Sequence, residues 1–151
     1  MLKKIIVAIA ILVSLSSLFA NMGDRAEAAT YNYHSTAVAI AKANLGVPYQ
    51  YGGTSPYGFD CSGFVKYSYA RAGRTLNRTA AQMFYTNGYH VYSLQPGDLM
   101  FFAPTKANSP THVAMYIGSG KMIMASSSRG VMITSTSNVY WKPRYVGAKR
   151  V

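Results

Sequence analysis

Tyr57-Gly58-Phe59-Asp60-Cys61-Ser62-Gly63-Phe64 places the only cysteine of a 151-residue chain directly after an aspartate. Upstream, Val47 to Pro56 is broken by Pro48, Gly52, Gly53 and Pro56 and reads as a loop; downstream, Phe64 to Ala72 reads as a helix closed by Gly73. Cys61 is therefore expected at a helix N-terminus. There the unpaired N–H groups of the first turn and the helix dipole favour a thiolate over a neutral thiol. That is a nucleophile's position.

The first thirty residues predict export. Met1 to Lys4 is a short basic start, Ile5 to Ala20 is almost wholly apolar, and Ala26-Glu27-Ala28 is a small-x-small cleavage site. Residues 1–28 are expected to be a signal peptide and residues 29–151 the mature domain; the alternative is an uncleaved helix that tethers the domain to a membrane. No later segment approaches about 18 to 20 consecutive apolar residues, so no retained transmembrane segment is expected. An exported chain with one thiol has no internal disulfide partner. Cys61 is then a buried hydrophobe, an intermolecular crosslink or a reactive group.

About 123 mature residues suit one compact domain, expected to be a monomer. Cleavage would leave twelve Lys and Arg against Asp60 and Asp98, a net of about +10. Nucleic acid is not the expected partner, because these charges are spread from Lys42 to Arg150 without a groove-reading or base-stacking motif. Anionic cell-wall polymers are. No metal or other cofactor is expected, since Cys61, His34, His90 and His112 lack zinc-ligand spacing and there is no carboxylate cluster. Gly118-Ser119-Gly120 precedes a strand, not the helix that a phosphate cradle needs.

Along the mature chain, Ala37 to Leu45 reads as a helix capped by Ser35-Thr36, and a short helix is expected from Thr79 to Thr86. From Leu99 the pattern changes to strands: Leu99–Ala103, His112–Ile117, Lys121–Ser126, Val131–Thr136 and Arg144–Gly147, with a hairpin at Gly118-Ser119-Gly120. Helices followed by a meander of about five antiparallel strands define an α+β domain. A nucleophilic thiol needs a proton acceptor. His34 lies in a loose N-terminal stretch and His90 in a tyrosine-rich connection, whereas His112 begins a strand that can present its imidazole toward the helix of Cys61.

Four segments in order, Pro48-Tyr49-Gln50-Tyr51-Gly52-Gly53, Asp60-Cys61-Ser62-Gly63-Phe64, Leu94-Gln95-Pro96-Gly97-Asp98-Leu99-Met100-Phe101-Phe102 and Thr111-His112-Val113-Ala114-Met115-Tyr116-Ile117-Gly118, resemble the successive motifs of NlpC/P60 cysteine peptidases, papain-like hydrolases of bacterial wall peptides. The resemblance covers almost the whole mature chain. It implies a papain-like fold in which Cys61 attacks an amide carbonyl and His112 is the general base. It also implies that Tyr49 binds substrate or stabilises the oxyanion, and that Asp60 and Ser62 line a substrate subsite where an aspartate can pair with a free stem-peptide amine. Asp60 is equally readable as the helix N-cap; for Tyr49 the alternative to substrate contact is a packing role. The bond implied is one next to γ-D-glutamyl.

One position departs from the family pattern. Relatives usually carry His, Asn or Gln twelve residues after the base, hydrogen-bonded to the imidazole; this chain has Met124, a thioether and a weak acceptor. Ser126, two residues on and on the same strand face, is placed where it could substitute directly or through a water. The competing functions are a basic, non-catalytic wall-peptide binder that retains the cleft, and a structural wall protein crosslinked through Cys61.

Overall fold

The computed structural model describes residues 33–105 and 109–151; the expected signal peptide lies outside them. Residues 33–43 form the first helix, α1. Ser35 and Thr36, read as its cap, lie inside it with exposed side chains, while Ala37, Val38 and Ala41 turn one apolar face to the core. His34 belongs to this helix and is not in a loose stretch: its Nδ1 is 3.1 Å from the Tyr69 hydroxyl. That hydroxyl donates in turn to the Gly97 carbonyl.

A two-stranded hairpin, β1 (Thr54–Ser55) with β2 (Gly58–Phe59), delivers the chain to helix α2 (Cys61–Arg71). The polypeptide crowds itself here. A Cβ built on Gly63 would lie 2.0 Å from the Gly53 carbonyl oxygen, so the loop packs backbone to backbone on the first turn of α2 and only glycine fits. Helix α3 (Ala80–Thr86) begins at Thr79, whose hydroxyl accepts from the Gln82 N–H while the Gln82 side chain accepts from the Thr79 N–H.

Six antiparallel strands form the main sheet, one more than expected: β3 (Tyr89–Val91), β4 (Leu99–Phe102), β5 (His112–Gly118), β6 (Lys121–Ser126), β7 (Gly130–Ser135) and β8 (Tyr145–Arg150), ordered β3-β8-β4-β5-β6-β7. The additional strand is β3. It is short, pairs only with β8 and is mostly exposed, so its sequence carries no hydrophobic alternation to announce it. His90 sits in it, edge-on to Phe84 at 5.1 Å. The expected β5–β6 hairpin forms, with Ser119 at φ 52° and Gly120 at φ 67°, the positive pair that a two-residue turn matched to strand twist requires.

The two faces of the sheet divide the strand residues by period two. Leu99, Phe101, Val113, Met115, Ile123 and Ala125 are fully buried on the face that carries α2. Met100, Phe102, Ala114, Met122 and Met124 make a second apolar cluster on the other face, covered in part by Leu94, Tyr116, Met132 and Trp141. Asp98 enters β4 as a structural residue. Both its oxygens accept from Arg150 at 2.8 Å, and one accepts the Gln95 N–H at 2.7 Å.

Candidate active site

Asp60 is the N-cap of α2, its Oδ1 accepting the Gly63 N–H at 2.7 Å, which makes Cys61 the first residue of the helix. The β5–β6 pairing runs from the hairpin only as far as Met115–Ile123. Beyond it, the backbone on either side of His112 meets the thiol instead. Cys61 Sγ lies 3.8 Å from the Thr111 carbonyl oxygen, and the Val113 N–H is directed at the sulfur. The resulting cleft, about 540 Å³, is lined by Tyr49, Cys61, His112 and Trp141, with Ser126 to Arg129 along its far wall.

A second depression of about 460 Å³ opens on the other side of the thiol, between Tyr51, Asp60, Ser62 and Arg78. Tyr49, Cys61 and Thr111 line both, so the sulfur stands at the junction of two wings. Tyr49 is fixed there by backbone pairing: Phe59 N–H donates to the Pro48 carbonyl at 3.2 Å and Gln50 N–H to the Phe59 carbonyl at 3.0 Å. Partial burial raises the Tyr49 pKa, the Asp60 carboxylate adds to this, as would a Cys61 thiolate once formed, and the phenol stays a donor.

The electrostatics differ from the expectation of a preformed thiolate. Burial pushes the Cys61 thiol up from its ordinary value of 9.0; the Val113 N–H works against this and the Asp60 carboxylate adds to it, so desolvation outweighs the helix start. Burial also holds the His112 imidazole at about 4. Thiol and imidazole are both neutral at rest.

Arg78 and Trp141 escaped the sequence reading. Arg78 grips both Asp60 oxygens and donates to Ser62 Oγ at 2.9 Å, so the carboxylate is already engaged by a cation and by the helix. Nothing distinguishes it in a chain of 15 Lys and Arg. Trp141 stacks on the His112 ring at 4.2 Å and 21°. Its signal was being the sole tryptophan, but its distance from His112 in sequence hid the contact. Met124 does reach His112, with Sδ 3.3 Å from Nε2, whereas Ser126, the other residue read as able to orient the imidazole, pairs its Oγ with Ser128 Oγ at 3.3 Å.

Among the described residues no group of three or more His, Cys, Asp or Glu could hold a metal ion, and no helix is long and apolar enough to cross a membrane. Comparisons with known proteins agree with the fold. The chain is 43% identical over 116 residues to the probable peptidoglycan endopeptidase LytE of Bacillus subtilis (77% of this chain, 34% of LytE). It is 39% identical over 130 residues to the murein DD-endopeptidase MepH of Escherichia coli (78% and 46%), and 40% over 117 residues to the gamma-DL-glutamyl hydrolase of Bacillus subtilis (75% and 28%). It thus spans less than half the length of these relatives. A crystal structure of an NlpC/P60 family protein from Bacillus cereus superposes with a TM-score of 0.72 at 40% identity, covering 78% of this chain and 39% of that one. The NlpC/P60 family model matches residues 46–150, and the chain belongs to the NlpC/P60 family.

Proposed function

We propose that the protein is an exported cysteine peptidase that hydrolyses amide bonds of bacterial wall stem peptides, next to γ-D-glutamyl, with Cys61 as nucleophile and His112 as general base. The observation that carries this is the thiol seated on the backbone to either side of His112, with both side chains opening onto one cleft. Because both groups rest neutral, the base takes the thiol proton as sulfur attacks the carbonyl, and no stable ion pair precedes the reaction. The first-turn N–H of Cys61 and the Tyr49 hydroxyl are the donors for the oxyanion. The protonated imidazole then gives its proton to the leaving amine, and water hydrolyses the thioester with His112 again as base. Asp60 shapes the second wing through Arg78 and Ser62, its Oδ1 accepting from Gly63 and Arg78 and its Oδ2 from Arg78.

Support for a wall peptidase comes from relatives named as a probable peptidoglycan endopeptidase and a murein DD-endopeptidase, and support for the γ-glutamyl bond from the relative named as a gamma-DL-glutamyl hydrolase. Net charge supplies retention on anionic wall polymers. The test is mass spectrometry of purified wall peptides incubated with wild-type protein and Cys61→Ala. Fragments split beside γ-D-glutamate by wild type alone are expected. Intact peptides in both would favour the second reading, a non-catalytic wall-peptide binder, which the neutral thiol and the thioether beside the base favour.

A further inference from the structure

Met124 occupies the position where the family resemblance implies a polar partner for the base, and its side chain is in contact with His112. Its sulfur is 3.3 Å from His112 Nε2. A thioether has no hydrogen to donate, and two lone pairs at that separation repel, so the contact requires a proton on Nε2 and leaves Nδ1 as the basic nitrogen. In water a thioether would lose this N–H to solvent. Here Met124 is fully buried among Met100, Phe102, Ala114 and Met122, and among the described residues no other acceptor bonds Nε2. A weak acceptor without a competitor still decides a tautomer.

The ring plane is fixed separately. Trp141 stacks on the imidazole, and the Asn138 side chain accepts the N–H groups of Tyr140 and Trp141 at 2.9 and 3.2 Å, holding the turn that presents the indole. Phe102 packs against Trp141 at 5.2 Å and faces the imidazole at 6.1 Å. When the base accepts a proton, the indole face also offers its quadrupole to the imidazolium, a task that a polar third residue performs elsewhere.

We propose that Met124 and Trp141 are the positioning residues of the base: the thioether accepts the His112 Nε2–H and the indole fixes the ring plane, together replacing the polar residue usual at that position. This rests on the reading of His112 as general base. The pair acts through His112 and touches no reacting atom.

The experiment is ¹H–¹⁵N long-range correlation of the His112 imidazole in purified wild type, Met124→Leu, Met124→Gln and Trp141→Leu, with kcat and KM on wall peptides alongside. Wild type should show a single tautomer protonated at Nε2. Met124→Leu conserves volume but removes the acceptor; it should mix the tautomers and lower kcat about tenfold, with KM within about twofold. Met124→Gln should restore both. Trp141→Leu should broaden the imidazole signals and lower kcat similarly. A wild-type ring protonated at Nδ1, or Met124→Leu with unchanged tautomer and kcat, would overturn the proposal. The tautomer is read without turnover: an inactive wild type with the Nε2–H form would sink the peptidase reading and leave the positioning standing.

Discussion

Arg78 holds Asp60 through both carboxylate oxygens, at 2.6 and 3.1 Å, immediately before the residue that carries the thiol. A cation thereby lines the wing where the family resemblance implied capture of a free amine. Arg78→Gln should raise kcat/KM for stem peptides with a free N-terminal amine relative to the same peptides N-acylated, by about fivefold, since one unit of repulsion near a surface is worth about 1 kcal/mol. Stability should change by less than about 1 kcal/mol because the pair is partly solvated. An unchanged preference ratio would mean that the amine never enters this wing.

His112 ties stability to pH. Its unfolded value is the ordinary 6.5 and its folded value about 4, so the unfolded chain takes the proton first as pH falls. The stability from the neutral imidazole is complete above pH 6.5 and is lost as pH falls from 6.5 toward 4, by roughly 3 kcal/mol at most. Denaturant unfolding at pH 7.5 and pH 4 should show wild type losing more than His112→Gln. His34, also lowered by burial, is common to both proteins and cancels. Equal losses would show that the folded imidazole titrates normally. The acid limb of kcat/KM should likewise lie near pH 4.

Cys61 should alkylate slowly in the resting protein. Burial raises its pKa above 9.0, so iodoacetamide labelling at pH 7 should be slower than that of a free thiol and should accelerate through alkaline pH. Rapid labelling at neutral pH, abolished by His112→Ala, would demonstrate a thiolate–imidazolium pair instead.

Gly63→Ala should cost at least about 1 to 3 kcal/mol, because the new Cβ would stand 2.0 Å from the Gly53 carbonyl oxygen and 2.8 Å from Asp60 Oδ1. The urea midpoint should fall with unchanged slope. A midpoint within error of wild type would show that the loop yields easily.

Most of the architecture was legible because it rests on short-range rules. The helix start at Cys61, the capped helix after Thr79 and the β5–β6 hairpin each follow from a few neighbouring residues that cap, turn or alternate. Strand β3 was not, since an exposed edge strand needs only a partner's free N–H and C=O groups and imposes little pattern on its own side chains.

By itself, then, the sequence determined the α+β order of elements, the cysteine at a helix N-terminus, the strand-leading histidine and the methionine twelve residues after it, all of which are local or fixed by residue identity. Only the tertiary structure decided what surrounds them: Arg78 on Asp60 from 18 residues away and Trp141 stacked on His112. It also decided the charge state of the thiol. A helix start favours the thiolate whatever lies around it, but how far the thiol is desolvated depends on which distant segments pack around it, and here that desolvation is the larger effect.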